Sequence, residues 1–297
     1  MTAFSKKIDN LPVSWAGRFI YQCLPYRLGV ITANIDQVFG DVLSADQKKH
    51  LIKAFYSHLA TSIKETIFLR FISESALRDR VDVRGHEHLL KIAERKQGVL
   101  VLTGHFGSWE FAPLGGILNF KQFKGHFHFI RRTLGNRWIE RILFRRYYKA
   151  GLHVIPKSNA LSLVSEALDK NHAVVFVLDQ HASLNNKDGI AAEFFGKKAG
   201  TYRSLASFSR YTGLPVVPAA AYRLPNGRHV LEFFDPIPWT SYQGSHESLY
   251  QNTCAYNKAL ERIILEHPEQ WLWLHRRWKL SSQVTDSSLS KLKDLTS

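Results

Sequence analysis

Cysteine is scarce in this chain of 297 residues, which contains only Cys23 and Cys254, far apart and with no second thiol near either. This scarcity argues against a disulfide framework and a cysteine zinc site, and it is typical of a reducing compartment. The sequence also lacks a run of roughly 20 apolar residues, the length that crosses a bilayer. Its first residues do not follow the order of a secretory signal. We therefore expect a cytoplasmic protein that is soluble or peripheral to a membrane.

Three common sequence motifs are also missing: the G-x-S-x-G nucleophile elbow, the P-loop and the G-x-G-x-x-G fingerprint. Their absence argues against a serine nucleophile and against phosphate or dinucleotide cradles. The histidine pairs His86/His88 and His126/His128 have no third ligand at a useful spacing, so surface or strand positions explain them better than a metal site. We expect neither a bound metal nor a resident cofactor.

Acidic residues are few relative to basic ones, with 25 Asp and Glu against 40 Lys and Arg, a formal charge of +15. Such an excess favours an anionic partner: nucleic acid, an anionic bilayer or a small acidic protein. The composition does not choose among them. Apolar residues make up 45% of the chain and charged residues 22%, values typical of a globular protein with a sizeable core.

Short apolar runs alternate with amphipathic segments along most of the sequence. Helices are predicted at 45–73, 85–95, 136–150, 159–170, 201–211 and 247–266, and strands at 99–103, 126–130, 173–178, 215–222 and 229–234. Several strands are nearly continuous in apolar residues, as expected when both faces are covered. This pattern predicts one α/β domain with a mixed, mostly parallel sheet. Residues 1–80 would form a helical N-terminal layer, 81–280 the α/β core, and 281–297 a loose tail.

The segment TGHFGSWE places a histidine and a carboxylate directly after the strand 99–103. A carboxylate that is hydrogen-bonded to one ring nitrogen makes the other a better base, so His105 and Glu110 are candidates for a general base and its partner. The alternative is a histidine at the edge of the core beside a solvated glutamate. Because no nucleophile motif is present, His105 would activate the acceptor directly, without a covalent intermediate.

Gly107 and Ser108 separate these two residues and predict a tight elbow that folds Glu110 back toward the ring. Ser108 is a candidate N-cap for the following helix, although Pro113 favours a helix start nearer Ala112. In either case we expect the free amides of the elbow to point toward His105, where they could stabilise a developing negative charge.

Two other strands also end in polar residues. Arg131 and Arg132 follow the strand 126–130, and their guanidinium groups could hold a phosphate. Asp179 and Gln180 follow the strand 173–178, at the same edge of the sheet if the strands are parallel. The alternatives are an ordinary solvated strand end for the arginines and a turn residue for Asp179.

Near the C-terminus, QWLWLHRRWKL mixes tryptophans with basic residues: Trp271, Trp273, Trp278, Arg276, Arg277 and Lys279. This mixture suits a membrane-interface anchor or a surface that stacks on bases. Burial of the tryptophans is the alternative.

Five of these segments, in order, resemble the bacterial lipid A biosynthesis acyltransferases, the lauroyl/myristoyl branch of the lysophospholipid acyltransferase superfamily. They are TGHFGSWE for the H-x4-D/E motif, IRR…N, LDQ with AEFFGKKAGTYRSLA, TGLPVVP and WLWLHRRWK. The resemblance covers residues 83–279. It implies a glycerol-phosphate acyltransferase-like fold, with His105 as general base, Glu110 as its partner, and Arg131 or Arg132 and Asp179 at positions associated with activity.

The resemblance further implies transfer of a fatty acyl chain from an acyl thioester, on acyl carrier protein or coenzyme A, to a hydroxyl or amine of a lipid or glycolipid. A basic surface would attract both an acidic carrier protein and the inner face of the cytoplasmic membrane. Two other hypotheses stay open: a basic nucleic-acid-binding protein, although no recognised nucleic-acid motif is present, and a lipid-binding homologue without catalysis.

Overall fold

Buried apolar runs and the segments between them form a seven-stranded sheet with helices on both faces. The computed structural model describes residues 3–120, 125–131, 145, 147–185 and 188–279. The strands are β1 (Val81–Arg84), β2 (Val99–Thr103), β3 (Phe127–Arg131), β4 (Leu152–Pro156), β5 (Ala173–Val177), β6 (Gly189–Phe194), β7 (Lys197–Tyr202), β8 (Val216–Arg223) and β9 (His229–Phe233). The helices are α1 (Ala3–Asp9), α2 (Trp15–Cys23), α3 (Leu28–Phe39), α4 (Ala45–Phe68), α5 (Glu74–Arg78), α6 (His86–Glu94), α7 (Phe111–Asn119), α8 (Ala160–Asp169), α9 (Ser204–Thr212) and α10 (Ser245–Glu266).

The large sheet has the strand order β1-β9-β8-β2-β5-β3-β4. Strands β8, β2, β5, β3 and β4 run parallel, β9 is antiparallel to β8, and β1 pairs with β9 in parallel. The predicted α/β class with a mixed, mostly parallel sheet is therefore confirmed. Strands β6 and β7 form a separate antiparallel hairpin.

The sheet divides the hydrophobic core into two parts, which explains why its central strands are apolar at every position. Leu100 and Leu102 face a cluster that includes the N-terminal helices, whereas Val99 and Val101 face a cluster that includes α6 and α7. All four side chains are buried. A strand covered on both faces needs apolar residues at both alternating positions, so β2 reads as one unbroken apolar run.

Helix α4 is the longest element of the N-terminal layer. Ser44 and Gln47 form a capping box at its start, which satisfies two backbone groups that would otherwise lack partners. Its apolar stripe faces the core only in the first part of the helix. Phe55 is buried, whereas Ile63 and Ile67 are exposed. In the part of the chain that the structure describes, no helix has the length and hydropathy needed to span a membrane.

Some elements were not predicted. Strands β1 and β4 are short, and the β6–β7 hairpin contains two glycines among its alternating residues. The predicted helix 201–211 begins later, at Ser204, because Thr201 and Tyr202 pair with β6. Most of the predicted helix 136–150 and the whole of the predicted tail 281–297 lie outside the described residues.

Candidate active site

The register of two neighbouring strands brings His105 and Asp179 together. Thr103 of β2 pairs with Val177 of β5 in parallel register, so His105 and Asp179 each follow their strand by two positions. The carboxyl ends of parallel strands meet at one edge of a sheet, where ligand sites commonly lie. The expectation that these strand ends share an edge is confirmed.

The carboxylate of Asp179 holds His105 through both the ring and the backbone. Oδ1 lies 2.9 Å from His105 Nδ1, and Oδ2 accepts the His105 backbone N–H at 2.7 Å. Oδ2 also accepts the Trp271 Nε1–H at 3.0 Å. Asp179 is 1% exposed, and an ionised carboxylate only accepts hydrogen bonds. The proton of the neutral imidazole therefore lies on Nδ1, and Nε2 presents its lone pair.

The electrostatics support the same protonation states. Burial raises the pKa of Asp179, but the His105 charge and the hydrogen bonds from His105 and Trp271 outweigh it and hold the pKa below its usual range. Burial lowers the pKa of His105, but the Asp179 charge and hydrogen bond outweigh this effect and raise the pKa above its ordinary value. Asp179 is therefore an anion that makes His105 more basic.

Two glycines allow the close approach of backbone and side chains at this corner. A Cβ on Gly104 would lie 3.1 Å from the Asp179 side chain. Gly107 has a φ of +54°, and a Cβ there would lie 2.3 Å from the Ala221 carbonyl oxygen. The φ value is one that glycine adopts without steric cost. The elbow predicted from Gly107 is therefore present.

The segment 270–272 near the C-terminus binds the backbone of the elbow through two hydrogen bonds. The Gly107 N–H donates to the Gln270 carbonyl at 2.9 Å, and the Leu272 N–H donates to the His105 carbonyl at 3.0 Å. Phe106 and Trp271 form an isolated β-bridge between these hydrogen bonds. The position of the His105 backbone thus depends on residues more than 160 positions later in the chain.

A buried polar network connects this segment to α4. The Gln270 side chain exchanges two hydrogen bonds, of 2.8 and 2.9 Å, with the Arg223 backbone. The Arg223 guanidinium binds both Glu65 carboxylate oxygens and lies 3.1 Å from His58 Nδ1. His229 Nε2 also contacts Glu65, at 3.2 Å. The network supports the elbow through Gln270.

The elbow does not supply the oxyanion donors in the way the sequence predicted. The Gly107 amide is already bonded to Gln270, so it is not free for substrate. Ser108 does not cap α7: Glu110 occupies the N-cap position, and the helix begins at Phe111, near the start that Pro113 favoured. The Ser108 side chain is buried, and its hydroxyl has no hydrogen-bond partner among the described residues.

Glu110 does not bind the His105 ring, which corrects the predicted pairing. Among the described residues, the ring nitrogens contact Asp179 and Gln180, whereas the Glu110 carboxyl takes a hydrogen bond from Thr66 of α4. Burial raises the pKa of Glu110, opposed by that hydrogen bond. Glu110, five residues after His105, lines the same cavity as His105. The register of β2 against β5, however, places the Asp179 carboxylate, not that of Glu110, within hydrogen-bonding distance of the His105 ring.

Gln180 lies beside Nε2 of His105. Its Nε2 is 3.4 Å from His105 Nε2 and 3.2 Å from His275 Nε2. The rings of His105 and His275 are 5.7 Å apart. Burial lowers the pKa of His275 and outweighs the opposing charge of Asp179. A neutral His275 and a carboxamide therefore flank the base.

Arg131 is at the same edge, at the end of β3. Phe129 pairs with Val175, which places Arg131 level with the end of β5. Burial, then the Glu110 charge, raises the pKa of Tyr147, and the opposing effect of the Arg131 charge is smaller. Arg131, Glu110 and Tyr147 all line one cavity. Arg132 lies outside the described residues, so its predicted role stays a prediction.

This cavity has a volume of about 650 Å³ and contains His105 and Gln180 in its wall. It extends between the sheet and α7, and most of its lining is apolar, including Val101, Ile117, Phe129, Val175, Leu231 and Phe233. Such a size and lining are typical of a small-molecule site. A base at one end of an apolar cavity suits a substrate with a reactive polar group on a hydrocarbon chain.

The tryptophan-rich segment is part of the protein interior. Trp271 is 1% exposed and Trp273 is fully buried, as is Arg277, which binds the Gly200 carbonyl and Thr201. For Trp271 and Trp273 the membrane-anchor and base-stacking interpretations are therefore wrong and burial is correct, while Trp278 is half-buried and donates to the Phe194 carbonyl. No sequence pattern indicates the contact of Trp271 with Asp179 or of His275 with Gln180, because both contacts depend on the packing of distant segments.

Histidines of β3 and β4 and the histidine before β5 contact one another at the other end of the sheet. His128 Nε2 lies 2.9 Å from His172 Nδ1, and the His153 ring stacks on His128. No group of three or more metal-binding side chains in the described ranges is arranged to hold an ion.

Comparison with known proteins identifies the family. The family model for the bacterial lipid A biosynthesis acyltransferase matches residues 10–280. The lipid A biosynthesis palmitoleoyltransferase of Escherichia coli (strain K12) and the lipid A biosynthesis acyltransferase of Shigella flexneri are each 27% identical over 247 residues, which cover 83% of this chain and 76% of the relative. The lipid A biosynthesis lauroyltransferase of Escherichia coli (strain K12) is 22% identical over 265 residues, 89% of this chain and 82% of the relative. The chain therefore belongs to the bacterial lipid A biosynthesis acyltransferase family.

Proposed function

We propose that the chain transfers a fatty acyl group from an acyl thioester to a hydroxyl or amine of a lipid A-type glycolipid, with His105 as the general base. The observation that carries the proposal is a base oriented by a buried carboxylate at one end of an apolar cavity. The relatives are a palmitoleoyltransferase and a lauroyltransferase of lipid A biosynthesis, which supports the choice of acceptor.

In the proposed reaction, His105 Nε2 removes the proton from the acceptor O–H or N–H as its oxygen or nitrogen attacks the thioester carbonyl. The tetrahedral intermediate then collapses with cleavage of the C–S bond. The departing thiolate takes the proton from the His105 imidazolium, so the imidazole returns to its neutral starting state. Asp179 is a positioning residue, because it stabilises the imidazolium without contacting the substrate.

Gln180 and Arg131 are proposed to contact the substrates. The Gln180 carboxamide reaches the space next to His105 Nε2, where a donor could stabilise the developing oxyanion. Arg131 adds a positive charge to the cavity wall, which suits a phosphate on the acceptor or on the donor. Glu110 is proposed to face the acceptor, since it lines the cavity but does not hold the base.

The donor is proposed to be acyl carrier protein or coenzyme A, and the site of action the inner face of the cytoplasmic membrane. Both donors are anionic, as is that membrane surface, and a chain with a formal charge of +15 attracts them. Nucleic-acid binding, which the basic charge and the tryptophan–arginine cluster motivated, has less support because Trp271 and Trp273 of that cluster are buried.

Lipid mass spectrometry tests the proposal in cells that contain the wild type, His105→Ala or no protein. We expect one lipid to lose an acyl chain in both altered strains, which would identify the acceptor and the chain length together. A parallel assay with purified protein compares acyl carrier protein with coenzyme A as donor. Identical lipids in all three strains would contradict the enzyme and favour a lipid-binding protein without catalysis.

A further inference from the structure

Gln180 is bound at two points by one short segment near the C-terminus. The Arg277 guanidinium donates to the Gln180 backbone carbonyl at 3.4 Å, and Arg277 is fully buried. His275 Nε2 lies 3.2 Å from Nε2 of the Gln180 side chain. The segment therefore fixes both the main chain and the carboxamide of Gln180.

The backbone that carries His275 is itself fixed by side chains of the N-terminal layer. The buried Asn34 amide of α3 donates to the Trp273 carbonyl and to the His275 carbonyl, at 2.8 Å in each case. The Arg27 guanidinium donates to the Leu274 carbonyl, also at 2.8 Å. Three consecutive carbonyl groups thus have side-chain donors from a distant part of the chain, which limits the freedom of the His275 backbone.

The Gln180 carboxamide donates to two imidazole rings at once. Its Nε2 lies 3.4 Å from His105 Nε2 and 3.2 Å from His275 Nε2, and an amide nitrogen carries two N–H groups and only donates. The reverse orientation, with the amide oxygen toward the rings, would need a proton on His105 Nε2. The ring carries that proton on Nδ1, which faces Asp179 Oδ1. Both rings therefore present an Nε2 lone pair to Gln180.

His275 is in the neutral state that this arrangement requires, and it lies behind Gln180. Burial lowers the pKa of His275 and outweighs the Asp179 charge, which raises it, and the charges of His105 and Arg27 lower it further. His105 and Gln180 line the cavity, whereas His275 is not among the described residues of its wall. His275 therefore acts on a substrate in the cavity through the Gln180 carboxamide.

The two N–H groups of Gln180 behave differently in the proposed reaction. When His105 takes the acceptor proton, its Nε2 becomes a donor and no longer accepts from Gln180. One carboxamide N–H is then released, while the other keeps its partner in His275. We infer that His275 is a positioning residue, which holds the Gln180 carboxamide so that the released N–H donates to the developing oxyanion. This inference rests on the proposed function.

A double-mutant cycle of kcat in the full chain tests the inference. His275→Phe keeps a ring but no acceptor, and it should lower kcat by up to about 10²-fold with little change in KM, the size of effect that a misplaced group produces. Gln180→Ala should lower kcat by roughly 10²–10³-fold, as loss of an oxyanion donor does. The variant with both changes should be no slower than Gln180→Ala alone. Losses that multiply in the double variant would overturn the inference, because His275 would then act independently of Gln180.

Two further variants separate the hydrogen bond from the packing of the ring. His275→Gln offers its amide oxygen as an acceptor and should restore most of the activity that His275→Phe loses. The matched control is His267→Phe, because the partly buried His267 ring stacks on Tyr222 at 4.1 Å and a phenyl ring keeps that contact. The control should keep the wild-type kcat. An equal loss of kcat in His267→Phe and His275→Phe would show an effect of packing and would overturn the inference.

Nitrogen-15 NMR of the histidine rings tests the contact without an activity assay. The spectrum distinguishes a ring nitrogen that carries a proton from one that presents a lone pair, and the His275 signals are those missing in His275→Gln. In the wild type at neutral pH, Nε2 of His275 should be unprotonated, and Gln180→Ala should shift its resonance. A proton on this nitrogen, or a resonance that Gln180→Ala leaves unchanged, would overturn the inference even if His275→Phe did not fold.

The two measurements also separate this inference from the proposed function. If the wild type transfers no acyl group while the ring spectra are as expected, the proposed function fails, and with it the purpose of His275, although its hydrogen bond with Gln180 stands. If the wild type transfers an acyl group and a folded His275→Phe does so at the same rate, the role of His275 is wrong and the proposed function stands.

Discussion

His105 and Asp179 are 74 positions apart in the chain, yet Nδ1 of the histidine lies 2.9 Å from Oδ1 of the aspartate. The same carboxylate binds the backbone N–H of His105, so it fixes both the position of the residue and the tautomer of the ring. A base held in this way loses little freedom when it accepts a proton. The pair has testable consequences for rate, pH dependence and stability.

Asp179→Asn should lower kcat by roughly 10²–10⁴-fold, because an asparagine amide can donate to Nδ1 and stabilise the tautomer that carries its proton on Nε2. The variant should also change the pH profile. His105 acts as a base only when neutral, so the rate of the wild type falls as the pH drops through its raised pKa. Without the carboxylate charge, burial lowers this pKa, and the acid limb of kcat/KM should move to lower pH. If the acid limb of kcat/KM kept its position in a folded Asp179→Asn variant, the pairing of His105 with Asp179 would be refuted.

The variant Glu110→Gln distinguishes the role of the Glu110 carboxyl from that of Asp179. Because Glu110 bonds to Thr66 and not to the His105 ring, this substitution should lower activity through substrate contacts while the acid limb set by His105 keeps its position. The comparison needs kcat/KM measured against pH for Glu110→Gln and Asp179→Asn side by side. If only Glu110→Gln shifted the limb to lower pH, Glu110 would be the partner of the base after all.

Trp271→Phe removes one hydrogen-bond donor from Asp179 and leaves most of the apolar packing. Hydrogen bonds to charged groups contribute about 1.5–3 kcal/mol, so the variant should unfold at lower denaturant concentration and should also lose activity. Trp273→Phe is the matched control, since its indole is buried but donates to the Pro268 carbonyl at 2.7 Å. Both variants should lose stability, but only Trp271→Phe should change the pH profile. If the two variants had the same pH profile, Trp271 would contribute to stability alone and not to the charge state of the His105–Asp179 pair.

His58→Gln should flatten the dependence of stability on pH. Burial, then the Arg223 charge, lowers the pKa of His58 to about 3, whereas the unfolded chain binds this proton near pH 6.5. Between these values the unfolded state holds one proton more, so the folded state loses up to about 1.4 kcal/mol for each unit of falling pH. Urea unfolding at pH 7 and pH 5 should show the cost of the substitution decreasing by about 2 kcal/mol at the lower pH. A constant cost would show that His58 does not titrate between the two states.

The sequence predicted the central strands well because burial on both faces leaves an unmistakable apolar run, as in Val99–Thr103. It also placed His105, Arg131 and Asp179 at strand ends, and parallel strands bring such ends to one edge. Short or glycine-containing strands, such as Val81–Arg84 and Lys197–Tyr202, were missed because they carry too few apolar residues to form a periodic signal.

The sequence by itself determined the α/β class, the family and the polar residues that directly follow three of the strands: His105, Arg131, Asp179 and Gln180. Only the tertiary structure decided which carboxylate holds His105, because the register of β2 against β5 is a long-range pairing that no local spacing encodes. The same applies to Trp271, whose indole reaches Asp179 only after the C-terminal segment has packed behind the elbow. Local sequence fixes which groups follow a strand, whereas the packing of distant segments fixes which of them meet.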